Sequence, residues 1–406
     1  MNRRLLLILI YLYALFFSVL KTLRFPNDWS EAHWMLDYRF GFIKRGLAGE
    51  IFGLLFAKTE LSIVILSAVI LFLLYTVLVL IAVRKTDILK QGITYDFMFY
   101  VLFFLSQYIV FSAHLIGYLD HLIFLMTFLV IFLIRKKMIF LSSIFVTIAV
   151  LIHEISFFLM LPICFFTLIL MEFKNYDQIL KNVLVTRICK RSVLFLLLPL
   201  VATVTVSIYQ EMYGMSYYEK IVCYLKSIAF INDAPAHTVA SAYTEKFSYY
   251  LKMESPHFFQ RIFVSTCSLL YGIPILFMGF LMYKKFKKIN LYLLMSLGVC
   301  VLIPQLLHAI AWDTYRIWSF PFMILFLGYW VLSSENKSDT SSSKVSLWML
   351  FIFILCLILV SMFANPLFDG EIERFSLFLK FLILVPFITL ILWYLKKPQK
   401  KFEANI

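Results

Sequence analysis

Residues 138–171 read MIFLSSIFVTIAVLIHEISFFLMLPICFFTLILM, an almost continuous apolar run whose only charged position lies near its centre. As one helix, a segment of this length would extend about 51 Å, whereas the hydrocarbon core of a bilayer is about 30 Å thick. We therefore predict two short membrane spans that meet at His153-Glu154. No glycine or proline marks a turn there, so a single tilted or broken helix is the alternative.

The composition of the whole chain indicates a polytopic membrane protein. Of its 406 residues, 63% are hydrophobic and 15% are charged, whereas soluble domains carry about 25% charged residues. The mean hydropathy is +0.91, and the recurrence of long apolar runs leaves no room for a separate soluble domain. We interpret the net charge of +14 as a signal of orientation rather than of nucleic-acid binding. The six cysteines form no CxxC pair, so neither a disulfide framework nor a zinc site is indicated.

The apolar runs predict an all-α fold with about 12 transmembrane helices. The predicted spans are 5–21, 61–83, 94–113, 117–134, 138–152, 155–171, 192–211, 262–283, 289–310, 317–333, 346–364 and 376–395. We interpret the first as a retained span rather than a signal peptide. The predicted organisation is a membrane domain with ten spans (1–333), a serine-rich cytoplasmic linker (334–345), a terminal pair of spans (346–395) and a cytoplasmic tail (396–406).

Lysine and arginine set the predicted orientation. With both termini inside, 23 of the 37 basic residues fall in the predicted inside segments. Most of the others lie in two long outer loops, residues 22–60 and 213–260. The second loop is rich in tyrosine, and its stretches 217–230 and 240–252 are predicted to form helices on the membrane surface. Such a loop acts either as a lid or substrate-binding element or as a passive cover.

The first outer loop contains a dense run of charge and glycine, DYRFGFIKRGLAGE at residues 37–50. Arg39, Lys44 and Arg45 are candidates to clamp a phosphate, because cationic side chains bind phosphate oxygens and the neighbouring glycines let backbone amides approach. Asp37 would remain free to act as an acid, a base or a metal ligand. The alternative is a solvated loop between two spans.

Further ionisable residues lie at the predicted outer ends of spans. They are His114, Asp120, His153, Glu154, His308, Asp313 and Arg316. Ionisable groups at membrane depth are rare and usually functional, because burial of an unpaired charge is costly. The alternatives are structural: Asp120 caps a helix, Asp313 pairs with Arg316 three residues later, and the His153-Glu154 pair closes a turn. One outward-facing cavity is expected to be lined by Asp37, Arg39, Arg45, His153, Glu154, Asp313 and Arg316.

Two segments resemble bacterial surface-polysaccharide polymerases of the Wzy and EpsG kind. Leu151–Pro162 is similar to their apolar-His-x-x-Ser-apolar-Leu-Pro segment. The first outer loop, with Asp37 ahead of an amphipathic stretch 47–57, is similar to their early Asp/Tyr-containing loop, and the large late outer loop is similar as well. The broader GT-C class of membrane glycosyltransferases has a catalytic carboxylate in its first outer loop, the position that Asp37 matches.

The resemblance implies an enzyme of the bacterial cytoplasmic (inner) membrane that transfers sugar or oligosaccharide units from a polyprenyl-(pyro)phosphate carrier at the outer face. In that chemistry a carboxylate or histidine takes the acceptor proton and cations hold the phosphate. The implied proton acceptors are Asp37, His153 and Glu154. The implied substrate-binding residues are Arg39, Lys44, Arg45, His114, Asp120, His308, Asp313 and Arg316. The aromatic-rich spans would hold the polyprenyl tail.

Other functions remain as alternatives. They are a single-sugar GT-C transferase, a transporter or flippase of lipid-linked sugars, and a structural membrane protein without chemistry. No Walker loop, HExxH or GxSxG motif is present, which disfavours ATP-driven and acyl-transfer functions. The expected partners are the lipid-linked glycan, the bilayer and other membrane proteins of polysaccharide assembly, with no nucleic acid. No cofactor is expected, and a divalent metal ion is left open.

Overall fold

The computed structural model describes residues 2–87, 92–173, 181–335 and 345–396. This part of the chain is helical and contains no β-strand beyond one bridge between Pro366 and Ile372. In chain order the α-helices are α1 (Arg3–Leu20), α2 (Asp28–Met35), α3 (Gly46–Leu55), α4 (Glu60–Lys85), α5 (Tyr95–Leu105), α6 (Gln107–His114), α7 (Asp120–Arg135), α8 (Ile139–Ile152), α9 (Ser156–Leu159), α10 (Leu161–Phe173), α11 (Lys181–Tyr213), α12 (Tyr218–Lys226), α13 (Asp233–Thr244), α14 (Phe247–Glu254), α15 (Thr266–Leu270), α16 (Gly272–Lys285), α17 (Leu291–Leu302), α18 (Thr314–Glu335), α19 (Leu347–Ser361) and α20 (Leu377–Lys396).

Nine helical segments within the described ranges are long and apolar enough to cross a membrane. They are Arg3–Leu20, Glu60–Lys85, Tyr95–His114, Ser156–Phe173, Val183–Lys226, Thr266–Lys285, Leu291–Ala309, Thr314–Glu335 and Leu377–Lys396. The prediction of an all-helical, multi-pass membrane protein is therefore confirmed. The count of 12 spans and the orientation of the termini stay predictions. Most of the predicted linker 334–345 and of the tail 396–406 lies outside the described residues.

Helices α5 and α6 form the centre of the bundle. All of their residues except Tyr95 are buried, and they pack against α1, α16 and α18. The apolar windows of α11 and α20 are only 17% and 22% buried, so both helices expose most of their apolar surface. Such exposure marks the surface of the bundle that contacts lipid.

Helices α7 and α18 run in the same direction, because charged side chains pair at both of their ends. Near the two N-termini, Arg316 Nη2 donates to Asp120 Oδ1 at 2.9 Å. At the two C-termini, Arg135 Nε donates to Glu335 Oε1 at 2.7 Å. These helices correspond to the fourth and tenth predicted spans, which the predicted order also makes parallel.

The long apolar run is interrupted at its charged pair. Helix α8 ends at Ile152, His153 is extended (φ −160°, ψ 119°), and α9 begins at Ser156. In the late loop, the stretch 240–252, which was predicted to be helical, contains an interruption. It is divided between α13 and α14, since Glu245 and Lys246 are extended. The predicted helix over 217–230 is shorter and corresponds to α12.

Candidate functional site

Eight side chains contact one another in a closed ring where several helix ends meet. In order around this site ring they are Arg45, Glu154, His153, Asp120, Arg316, Tyr118, His33 and Tyr243. Charged contacts join the first five residues, and aromatic contacts close the remaining half. The sequence analysis selects those first five residues as candidates. They come from four separate segments of the chain, which the fold brings to one place.

Two forked ion pairs form the charged half of the site ring. Arg45 Nε donates to Glu154 at 3.0 and 2.8 Å, and Arg45 Nη2 donates to the same carboxylate. Arg316 Nε and Nη2 donate to Asp120 at distances between 2.7 and 3.0 Å. His153 joins the two pairs, because its Nδ1 lies 3.4 Å from Glu154 Oε2 and its Nε2 lies 3.9 Å from Asp120 Oδ1. Guanidinium groups favour this geometry because their planar fork matches a carboxylate.

The aromatic half of the site ring is centred on His33. Its imidazole lies between Tyr243 and Tyr118, with centroid distances of 5.6 and 5.7 Å. Each tyrosine also contacts an arginine of the charged half: the Arg45 guanidinium lies 5.8 Å from the Tyr243 ring, and that of Arg316 lies 5.5 Å from the Tyr118 ring. These are cation–π distances. His33 is therefore one aromatic ring away from each of the two arginines.

Close backbone packing places these side chains together. Arg45 precedes α3 in the left-handed conformation (φ 62°), which is rare for residues other than glycine and marks local strain. Helix α3 is pressed against the end of α2, because a Cβ on Gly49 would lie 2.0 Å from the Leu36 carbonyl oxygen. Trp34 Nε1 of α2 donates to the Gly117 carbonyl at 2.7 Å, which brings the segment bearing Tyr118 beside His33.

Burial and neighbouring charges determine the protonation of the site. Burial alone would raise the pKa of Glu154, but Arg45 and His153 hold that pKa well below its usual range. Burial lowers the pKa of His153, and Arg45 adds to this effect while Glu154 opposes it. Burial also lowers the pKa of Lys44 to about 8, with Glu154 opposing and Arg45 reinforcing the shift. Near neutral pH the Glu154 carboxylate is ionised and the His153 imidazole is neutral.

Asp313 is attached to the site ring through Arg316. Its Oδ2 accepts a hydrogen bond from Arg316 Nη1 at 3.1 Å, and its Oδ1 is buried without a hydrogen-bond partner among the described residues. Burial raises the pKa of Asp313, although Arg316 opposes this shift. The expected pairing of Asp313 with Arg316 is present, but Arg316 makes more hydrogen bonds to Asp120.

Asp37 and Arg39 form an ion pair apart from the site ring. Arg39 Nε and Nη2 donate to the two carboxylate oxygens at 2.7 Å each, and Lys58 Nζ donates to Oδ2. Burial alone would raise the pKa of Asp37, but these hydrogen bonds hold it below the usual range. Asp37 is therefore ionised and occupied, which differs from the expectation that it stays free. The Arg39 side chain is 51% exposed.

His114 and His308 also lie outside the site ring. His114 is fully buried, and its Nε2 lies 3.1 Å from the Phe368 carbonyl oxygen. The carbonyl of the buried His308 accepts a hydrogen bond from Arg261 Nη1 at 3.2 Å. Arg261 also lines a cavity of about 350 Å³, together with His257, Gln260, Val264 and Ser265. Of the seven residues expected to line one cavity, five are joined by contacts and Asp37 and Arg39 are not among them.

The sequence analysis does not select His33, Tyr118 or Tyr243. The chain has 23 tyrosines, so composition singles out neither of the two in the site ring. The available signal for His33 is its position in the same outer loop as Arg45. In the described ranges, no group of three or more His, Cys, Asp or Glu side chains is placed to hold a metal ion.

Comparison of the chain with protein-family models, with curated proteins and with solved structures found no match. The chemistry of the site ring and its surroundings is therefore the basis for assigning a function.

Proposed function

We propose that this protein is a glycosyltransferase of surface-polysaccharide assembly. It transfers sugar or oligosaccharide units from a polyprenyl-(pyro)phosphate carrier to an acceptor hydroxyl at the outer face of the bacterial cytoplasmic membrane. The resemblance in residues 151–162 supports the reaction class. The membrane-embedded helices around the site ring support a lipid-linked donor.

The observation that carries the proposal is an unpaired cation beside the site ring. The Lys44 ammonium makes no ion pair with a described residue and lies 5.2 Å from the ring centroid of Tyr250. It adjoins Arg45, whose guanidinium is fixed by Glu154. A phosphate group would supply the counter-charge that Lys44 lacks, and the burial-lowered pKa of this lysine would rise on binding. Contacts of this kind grow stronger in a site shielded from water.

Binding of undecaprenyl pyrophosphate to the purified protein in lipid nanodiscs tests the donor site. Lys44→Gln should weaken binding by roughly 10- to 100-fold, because a hydrogen bond to a charged group contributes about 1.5–3 kcal/mol and about 1.4 kcal/mol is a factor of ten. Arg45→Lys keeps the charge but loses the fork, so its defect should be smaller than that of Arg45→Ala. The exposed Lys287 offers a matched control, since Lys287→Gln should bind as the unmodified protein does.

The polysaccharide made by a deletion strain tests the reaction itself. The strain is complemented with each variant, chain length is read on a gel, and the amount of protein in the membrane is checked. Long chains from the unmodified protein support a polymerase, whereas single units on the carrier identify a single-sugar transferase. If Lys44→Gln and Arg45→Ala both restore the unmodified chain length, the proposal is wrong and the transporter interpretation replaces it.

A further inference from the structure

Transfer of a sugar to a hydroxyl group releases a proton, and a side chain with an unused lone pair is needed to accept it. Three carboxylates near the site are already engaged, and the Oδ1 atom of the fourth, Asp313, has no hydrogen-bond partner among the described residues but is buried away from an approaching hydroxyl. Glu154 and Asp120 accept forked hydrogen bonds from arginines, and Asp37 accepts from Arg39 and Lys58. A carboxylate engaged in this way directs its lone pairs at its partners and has few left for an acceptor hydroxyl.

The two histidines of the site ring differ in whether a ring nitrogen is left open to a substrate. In His153, Nδ1 accepts a hydrogen bond from the Ile155 backbone N–H at 3.3 Å. The same Nδ1 lies 3.4 Å from Glu154 Oε2, and Nε2 faces Asp120 Oδ1 at 3.9 Å, so both nitrogens point at groups of the protein. His153 therefore has no free lone pair to offer a substrate hydroxyl.

In His33, the contacts with Tyr243 determine which ring nitrogen carries the proton. The Tyr243 hydroxyl donates to the His33 carbonyl oxygen at 3.2 Å, since a carbonyl only accepts. The same phenolic oxygen lies 3.2 Å from His33 Nδ1, so Nδ1 is the donor in that contact. The lone pair of the neutral ring is then on Nε2, and Nε2 makes no hydrogen bond to any described residue.

The surroundings of His33 keep its imidazole neutral. The residue is 8% exposed, and it lies between the rings of Tyr118 and Tyr243. Burial holds the pKa of His33 well below its usual range, and the nearby Arg45, His153 and Arg316 reinforce the shift, while Glu154 opposes it.

We propose that His33 Nε2 is the proton acceptor of the transfer reaction, an inference that rests on the proposed function. The acceptor oxygen attacks the anomeric carbon of the lipid-linked sugar, and the bond from that carbon to the carrier phosphate oxygen breaks. The (pyro)phosphate leaves with the bonding electron pair, and the hydroxyl proton moves to Nε2. His33 is the catalytic residue in this step, and Tyr243 is a positioning residue that selects the tautomer.

The variant His33→Gln separates proton transfer from donor binding. It should reduce polysaccharide extension in membranes at least about 100-fold, because general base catalysis contributes a factor of about 10² to 10⁴. Binding of undecaprenyl pyrophosphate should stay within about twofold of the unmodified protein, since Lys44 and Arg45 are retained. His237, outside the site ring, gives the matched control: His237→Gln should retain both extension and binding.

The tautomer is read directly by nitrogen-15 NMR of histidine-labelled protein, with the His33 signals assigned by their absence in His33→Gln. The unmodified protein should show a neutral His33 with its proton on Nδ1. Tyr243→Phe should shift that signature towards the other tautomer and slow extension at least about fivefold, a change that a merely structural role would not produce.

The other outcomes contradict either the assignment of His33 as the base or the proposed function. Extension by His33→Gln within about threefold of the unmodified protein excludes His33 as the base and leaves the proposed function intact. A proton found on Nε2 of His33 in the unmodified protein would also exclude His33 as the base. A loss of donor binding by folded His33→Gln would do so as well, because the variant would then have lost more than proton transfer. If the unmodified protein neither binds the carrier nor extends the chain, the proposed function fails together with this inference.

Discussion

Replacing Glu373 by glutamine should destabilise the fold, because two buried ammonium groups would lose their carboxylate. Lys380 Nζ lies 2.5 Å from Glu373 Oε2, with the two side chains 1% and 0% exposed. Lys21 is fully buried beside them, and its Nζ donates to the Ser361 carbonyl at 3.0 Å. This cluster fixes the chain between α19 and α20 to the end of α1.

The expected loss follows from the burial of the pair. Removing one partner of a buried ion pair costs about 3–5 kcal/mol, whereas replacing both partners by groups of similar size is close to neutral. We expect Glu373→Gln to lose about 3–5 kcal/mol of unfolding free energy. Adding Lys380→Met should restore part of that loss, because Lys21 still lacks the carboxylate, and the coupling free energy between the two positions should be at least about 1 kcal/mol.

Equilibrium unfolding in mixed detergent micelles, followed by circular dichroism, provides the free energies for the four proteins of this cycle. The exposed Lys287 again supplies a control, and Lys287→Met should change the unfolding free energy by less than about 0.5 kcal/mol. A double variant as unstable as Glu373→Gln alone would refute the reasoning, since the defect would then not come from an uncompensated charge.

Two further predictions concern packing and pH. A Cβ at position 49 would lie 2.0 Å from the Leu36 carbonyl oxygen, so Gly49→Ala should lower the melting temperature by several degrees. Gly279→Ala is the control, because a Cβ there would meet no atom within 4 Å and the melting temperature should not change. Equal melting temperatures for the two variants would contradict this prediction. Burial and two neighbouring carboxylates raise the pKa of Glu31 from 4.5 to about 7, so the folded protein retains a proton that the unfolded chain releases. Stability should therefore fall as the pH rises through this window, and unfolding measured at about pH 5 and pH 8 should show that Glu31→Gln removes this part of the dependence. If the stability of Glu31→Gln changes between these two pH values as much as that of the unmodified protein, this prediction is wrong.

The positions of the helices could be predicted because the bilayer sets a minimum length for each apolar run. Each predicted span overlaps an α-helix of the structure. Interruptions within spans could not be predicted in the same way. Ser106 separates α5 from α6 with an extended backbone (ψ 162°), and its hydroxyl donates to the Phe103 carbonyl at 2.6 Å. A serine in an apolar run does not by itself predict such a break, because Ser142 and Ser143 lie within the uninterrupted helix α8.

The site could be predicted as a set of rare ionisable residues but not as a set of contacts. Arg45 and Glu154 stand out in the sequence because charge is costly near a membrane. Nothing local shows that Asp120 pairs with Arg316, 196 residues later in the chain. His33 is harder to select from the sequence, because its proposed role depends on the contact between the Tyr243 hydroxyl and its Nδ1 atom.

The two halves of the site ring differ in the kind of contact that must break when they open. Tyr243 belongs to α13 in the late loop, and it contacts His33 through its ring and its hydroxyl and Arg45 through a cation–π contact, none of which is an ion pair. Moving apart the helix ends that bear Asp120 and Arg316 would instead separate a largely buried ion pair, which costs about 3–5 kcal/mol. On the proposed function, a substrate would therefore reach His33 on the side of α13 without separating an ion pair. The late loop therefore supplies one member of the site ring, Tyr243, and the side of the ring that opens without breaking an ion pair. A passive cover would supply neither.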